Sequence, residues 1–166
     1  PEVQQFIINM MKETLSSAPI SYVKWDMNRN MTEAFSAVLP PERQMETQHR
    51  YMLGLYHVLE EITQAFPEVL FESCAGGGGR FDAGMLYYMP QTWTSDNTDA
   101  IERLGIQYGT SLVYPPSAMG AHISASPNHQ VGRVTTMQMP ADDALSGKFG
   151  FEIDITPLSA EDRVTA

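Results

Sequence analysis

Cysteine is almost missing from this chain: Cys74 stands alone, so no internal disulfide and no multi-cysteine metal cage can form. A single cysteine fits a reducing compartment. Basic residues are scarce too, 10 Lys and Arg against 20 Asp and Glu, for a formal net charge of -10. No Lys/Arg cluster interrupts that acidity, which argues against nucleic acid or an anionic membrane as a partner. No run approaches the roughly 18 apolar residues of a membrane span, and no secretory signal opens the chain. The histidines His49, His57, His122 and His129 form neither an HExxH nor a Cys/His metal spacing, so no metal is expected. Internal repeats, low-complexity tracts and interdomain linkers are missing as well. The chain starts at Pro1 rather than Met and leads directly into helix-like sequence, which reads as a segment cut from something longer.

What is present suits one ordinary domain of 166 residues. Val3, Phe6, Ile7, Met10, Met11 and Leu15 recur at helical spacing, and Ser16, Ser17 and Pro19 stop that helix. A strand is expected over residues 20–25. Pro41 suits the first turn of a second helix, whose stripe is Met52, Leu55, Tyr56, Leu59, Ile62, Thr63 and Phe66, and Pro67 ends it. Further strands are expected over 69–73, 86–93, 111–114 and 149–155. Short helices are expected through Ile101, Leu104 and Tyr108, near 141–145 with Pro140 at the first turn, and after a capping box at Ser159 and Asp162. Helices alternating with strands imply parallel pairing and an α/β fold, either an open doubly wound sheet or an incomplete barrel. Polar residues repeatedly follow the strands' C-terminal ends, where both architectures place their sites.

Chemistry concentrates at those ends. In Ser21-Tyr22-Val23-Lys24-Trp25-Asp26-Met27-Asn28-Arg29, period-two alternation puts Lys24, Asp26 and Asn28 on one face and Trp25 and Met27 on the other. A cation, a carboxylate and an amide on one face fill a core poorly and hold a many-hydroxyl ligand well. Asp96 also follows a strand, seventy residues downstream, with one strand-helix unit between. In a closed barrel the two strands would be next-but-one neighbours. Facing carboxylates suit glycosidic cleavage, one attacking the anomeric carbon and the other protonating the leaving oxygen. The plain structural alternative is that Asp96 caps the following helix and Asp26 pairs with Lys24 or Arg29. Lys24 favours an ionised Asp26, whereas Trp93 and Asp99 favour a protonated Asp96.

The run Gly76-Gly77-Gly78-Gly79-Arg80 permits close approach of backbone to ligand. It lacks the Lys-Ser/Thr of a phosphate loop, so a loop lining a pocket is the better reading. Cys74 has no activating base beside it and reads as a partly buried thiol or a soft hydroxyl contact. Trp25 and Trp93 are candidates for stacking on a sugar face, with core packing an equal alternative for Trp25. His49 and His57 belong to the second helix and read as surface or packing residues.

Tyr22-Val23-Lys24-Trp25-Asp26-Met27-Asn28-Arg29 resembles the nucleophile strand of the glycoside hydrolase family 36 α-galactosidases. The resemblance continues through Glu72-Ser73-Cys74-Ala75-Gly76-Gly77-Gly78-Gly79-Arg80, resumes at Trp93-Thr94-Ser95-Asp96-Asn97-Thr98-Asp99, and extends over Ile106-Gln107-Tyr108-Gly109-Thr110-Ser111. It covers nearly the whole chain and weakens near Met139-Pro140.

The resemblance implies a retaining enzyme releasing terminal α-galactose from oligosaccharides of the raffinose and melibiose kind, with no metal and no organic cofactor. It makes Asp26 the nucleophile and Asp96 the acid/base, with Lys24, Asn28, Cys74, Gly76 and Trp93 in the sugar pocket. It also implies a (β/α)8 barrel, of which residues 1–166 supply the fourth to eighth strands. The first three strands and the flanking β-rich domains would then lie outside the chain, and the segment alone would hydrolyse little. Bacterial members of that family are commonly tetrameric and intracellular. An α-N-acetylgalactosaminidase, a galactosyl-transferring relative, or an inactive sugar-binding remnant are the alternatives.

Overall fold

The computed structural model describes residues 1–165 and divides them into two compact units, Pro1–Val23 with Asn28–Phe71, and Lys24–Met27 with Glu72 onwards.

In the first unit α1 (Glu2–Ser16) packs against α2 (Thr47–Ala65), which is preceded by a 3-10 turn, Pro41–Glu46, with proline in its first turn. Val58, Leu59 and Ile62 of α2 and Ile8 and Leu15 of α1 are buried. Each such side chain contributes about 1.5–3 kcal/mol when fully removed from water. Lys12 Nζ lies 3.2 Å from Glu61 Oε2 at the margin of this contact. Of the stripe expected on α2, Leu59 and Ile62 are buried and the rest half-buried, with Val58 buried beside them. On α1 the buried positions are Ile8 and Leu15, whereas Val3 and Phe6 are 71% and 68% exposed. That helix carries two adjacent apolar stripes, and helical spacing alone does not say which one is covered.

Strands β1 (Tyr22–Asp26) and β2 (Leu70–Cys74) begin in the first unit, where Leu70 N–H donates to the Ser21 carbonyl at 2.9 Å, and end in the second. There they join β3 (Gln91–Trp93), β4 (Met119–Ser124) and β5 (Lys148–Glu152) in one sheet of order β1-β2-β3-β4-β5. The pairs from β2 to β5 are parallel. Strand order follows chain order throughout, without the reversal of a doubly wound sheet. The sheet also curls. Lys24 Nζ on β1 reaches within 3.8 Å of Glu152 Oε1 on β5. In a flat sheet four spacings of about 4.8 Å would hold those strands roughly 19 Å apart, beyond the reach of the two side chains. A curled, sequential, parallel sheet is an arc of an α/β barrel.

Two expected strands are corrected. Residues 83–88 form a helix, α3 (Ala83–Tyr88), because the Asp82 side chain accepts the Met85 N–H at 2.8 Å and starts a turn that buries Met85. Only Gln91–Trp93 of the expected strand 86–93 is extended. Residues 111–114 are the last residue of α4 (Ala100–Ser111) and the turn that follows it, where the N–H groups of Val113 and Tyr114 return to the Thr110 carbonyl. The fourth strand is instead β4, whose Gly120 and Ala121 offer little of the β-branched signature. Two short helices complete the unit, α5 (Gln138–Ala144), with Pro140 at its third position, and α6 (Ala160–Thr165), capped by Ser159, whose Oγ accepts the Asp162 N–H at 3.0 Å. Ile123, Met137 and Ala144 pack together between β4 and α5.

Candidate active site

Each strand of the second unit ends in a side chain able to do chemistry: Asp26 on β1, Cys74 on β2, Trp93 on β3, Ser124 on β4 and Glu152 on β5. The glycine run after Cys74 ties these ends together. Ala75 N–H donates to the Gly77 carbonyl at 2.8 Å, Gly78 N–H to the Thr94 carbonyl at 3.1 Å, and Arg80 Nε to the Met27 carbonyl at 3.3 Å. Gly77 has φ +76°, and a Cβ there would lie 2.6 Å from Ser95 Cα and 2.9 Å from Asp96 N. Only glycine allows this approach. The loop therefore fastens the exit of β1, which carries Asp26, to the exit of β3, which leads to Asp96.

Asp26 is exposed at the strand's end, and its carboxylate hydrogen-bonds with the Cys74 thiol. Burial pushes that thiol up to about 11, helped by the Asp26 charge and opposed by the Gly77 N–H, so Cys74 is a protonated donor at neutral pH. Lys24, two residues before Asp26, is held three ways. Its Nζ lies 3.8 Å from Glu72 Oε1, 3.8 Å from Glu152 Oε1, and 4.5 Å from the centre of the Trp93 ring. Trp93 is buried, stacked on His122 at 4.8 Å between centroids, with the Arg103 guanidinium 4.3 Å from its ring centre.

Asp96 does not cap the helix after it. That role belongs to Asp99, whose buried carboxylate accepts the Glu102 N–H at 3.1 Å and receives Arg133 Nη1 at 2.7 Å. Asp96 is exposed, and among the described residues its carboxylate makes no hydrogen bond; only its backbone is held, by Gln130 Nε2 at 2.9 Å on its carbonyl. Around it Asn97 N–H donates to Ser95 Oγ at 3.1 Å, and Asn128 Nδ2 donates to Thr98 Oγ1 at 3.0 Å. Buried Arg103 donates to the Ser95 carbonyl at 2.8 Å and the Gly120 carbonyl at 3.2 Å. The backbone carrying Asp96 is thus pinned while its carboxylate is left for other work.

Of the side chains singled out in the sequence, Lys24, Asp26, Cys74 and Trp93 meet in this unit, with Gly76 at positive φ in the loop above them. Asn28 falls beyond the end of β1, in an exposed segment of the first unit, so strand alternation does not extend to it. Sequence reasoning missed Glu72, Arg103, Asn128, Gln130, Arg133 and Glu152. Only Glu72 carried a local signal, an acid inside an otherwise apolar strand.

These features define a class: a segment of a parallel α/β barrel with its polar site at the carboxyl ends of the strands. The chain belongs to the melibiase family, which matches residues 1–166. It is 67% identical over 162 residues to the α-galactosidase AgaA of Geobacillus stearothermophilus, a match covering 98% of this chain and 22% of that protein. A crystal structure of a variant of that GH36 enzyme in complex with raffinose superposes with a TM-score of 0.95 at 66% identity, over 99% of this chain and 23% of that one. Another variant, in complex with stachyose, superposes with a TM-score of 0.93 at 66% identity over 98% and 23%. The chain spans about a fifth of the length of these relatives.

Proposed function

We propose that this segment supplies both catalytic carboxylates of a retaining α-galactosidase acting on terminal α-D-galactosyl groups of raffinose- or melibiose-type oligosaccharides. Asp26 attacks the anomeric carbon as the glycosidic C–O bond breaks, and Asp96 gives its proton to the departing oxygen. Asp96 then takes a proton from water, whose oxygen displaces Asp26 and returns the sugar with its original configuration. The observation that carries this reading is the glycine loop. It bonds to the exits of both β1 and β3, next-but-one strands in the sheet, and those exits lead to Asp26 and Asp96. The two aspartates replaced in the raffinose and stachyose complexes of AgaA support it, since their separation in that chain equals that of Asp26 and Asp96.

In this reading Lys24 and Asn28 hold galactose hydroxyls, Cys74 and Gly76 lie on the C2 side, and Trp93 backs the pocket. Strands β1 to β5 are the fourth to eighth of a (β/α)8 barrel. The remaining strands and the flanking β-domains belong to the full-length protein, a cytoplasmic homo-oligomer, tetrameric as its relatives commonly are. No organic cofactor or metal takes part.

Trapping the full-length protein with a 2-deoxy-2-fluoro-galactosyl reagent and mapping the label tests the mechanism: attachment at Asp26 is expected, and attachment anywhere else refutes the assignment. Competing an aryl α-galactoside against the aryl α-N-acetylgalactosaminide tests the substrate. A buried thiol at C2 leaves room for a hydroxyl rather than an acetamido group, so the galactoside should be preferred.

A further inference from the structure

Glu72 is fully buried in the middle of β2, although a carboxylate withdrawn from water is costly unless it is paired. Its pairing is specific. The Gln91 side-chain amide donates to Oε2, and Lys24 Nζ lies 3.8 Å from Oε1. Space for the carboxylate comes from Gly120 on β4, where a Cβ would stand 3.3 Å from Oε2 and 3.4 Å from Oε1. Buried ion pairs add little net stability compared with apolar groups of the same shape, so such an arrangement is better explained by what it orients. What it orients is Lys24, on the same strand face as Asp26 and two residues from it.

A lysine head on a four-carbon stem samples many positions unless it is held. Glu152, the second carboxylate near Lys24, is 46% solvent-exposed, so water and salt screen its hold. Glu72, shielded from solvent, is the firmer anchor. We propose that Glu72 is a positioning residue for the glycosidase reaction, fixing the Lys24 ammonium at the sugar-binding mouth through the cradle left by Gly120. The inference rests on the reading of Lys24 as a substrate contact. It adds that the lysine works only while the buried acid beneath it keeps its charge and place.

The test uses the full-length protein and an aryl α-galactoside. Glu72→Gln keeps the shape and removes the charge, and it should raise KM about tenfold while kcat changes less than about threefold, the size seen when a supporting partner of a binding group is removed. Lys24→Met should raise KM at least as much, and the double variant should be no worse than Lys24→Met alone. An unchanged KM in E72Q beside a raised KM in K24M overturns the positioning role, as does a full multiplication of the two effects. An unchanged KM in K24M instead removes the reading of Lys24, and the inference with it. Gly120→Ala leaves every charge in place and presses first on the Glu72 carboxylate, at 3.3 and 3.4 Å, with the Thr92 carbonyl oxygen at 3.4 Å. It should raise KM in the same direction, and it decides the matter if E72Q does not fold.

Discussion

Lys24 Nζ and Glu152 Oε1 lie 3.8 Å apart although they stand on the two outermost strands of a five-stranded sheet. Trp93 contacts the same ammonium, so β1, β3 and β5 meet in one layer, while Glu72 on β2 approaches Gly120 on β4 in another. Layers built from alternate strands are how a (β/α)8 barrel fills its interior. Such layers are commonly Val, Ile and Leu. Here the two layers under the site together carry a lysine and two acids, Glu152 in one and Glu72 in the other, and that charge makes the strand ends a place for polar ligands.

The two aspartates should fail differently. With Asp26 as the proposed nucleophile, Asp26→Ala in the full-length protein should abolish turnover of every α-galactoside. Asp96→Ala should cost about 10²–10⁴ in kcat for raffinose, whose leaving oxygen needs a proton. In kcat/KM, which reports the first step, the same variant should lose far less on a dinitrophenyl α-galactoside, whose leaving group departs unaided. Steady-state rates on the two substrates check this, and equal losses in D96A would remove the acid role.

Gly77 should tolerate no side chain. Alanine at φ +76° carries about 1–3 kcal/mol of backbone strain, and its Cβ would press on Ser95 Cα and Asp96 N. Gly77→Ala should therefore lower Tm and move Asp96, cutting kcat/KM more than the stability loss explains. Gly132→Ala has the same kind of positive φ, +69°, with nothing within 4 Å of its Cβ, and serves as the control. It should lower Tm by a similar strain and leave kcat/KM unchanged.

Much of this was legible in the chain because local patterns agreed with tertiary ones. The stripe on α2, the strand ending in Lys24 and Asp26, and the glycines after Cys74 all carried their own signal. What failed was local pattern in conflict with distant packing. Tyr87-Tyr88-Met89 has strand composition, yet the Asp82 cap starts a helix before them. In β4 the glycine that clears space for Glu72 lowers strand propensity where the strand is needed. Strand order was left open because it depends on contacts as remote as Lys24 with Glu152. Asp96 and Asp99 sit in one run of capping residues, and which of them caps depends on where α4 begins, a detail that spacing does not resolve. Gln130 and Arg133 reach that run from about thirty residues downstream, with nothing local to announce them.

The division of labour between those two acids gives a third expectation. Asp99→Ala removes the helix cap, worth about 1–2 kcal/mol, and leaves Arg133 without its buried partner. Tm should fall, while kcat/KM of the folded fraction stays near that of the parent protein. Asp96→Ala should do the reverse, with Tm unchanged and turnover of raffinose strongly reduced. Thermal melts and kinetics on both variants separate the roles, and a Tm loss in D96A matching that of D99A would restore the capping alternative.

The Cys74 thiol gives a test of the Asp26 environment that does not need turnover. With its pKa pushed up to about 11 by burial and the neighbouring carboxylate, the thiolate fraction at pH 7 is on the order of 10⁻⁴, against about 3% for an ordinary thiol. Iodoacetamide should label it slowly at neutral pH, and the rate should rise about tenfold per pH unit until it levels near pH 11. Asp26→Asn removes the negative charge that favours the protonated form and leaves only a weaker amide acceptor, so the pKa should fall. At a fixed pH of 8, labelling should then be faster in D26N than in the parent protein, provided circular dichroism shows both folded. A rate that levels near pH 8.5 in the parent, or one that is slower in D26N, would mean that Asp26 does not hold the thiol hydrogen.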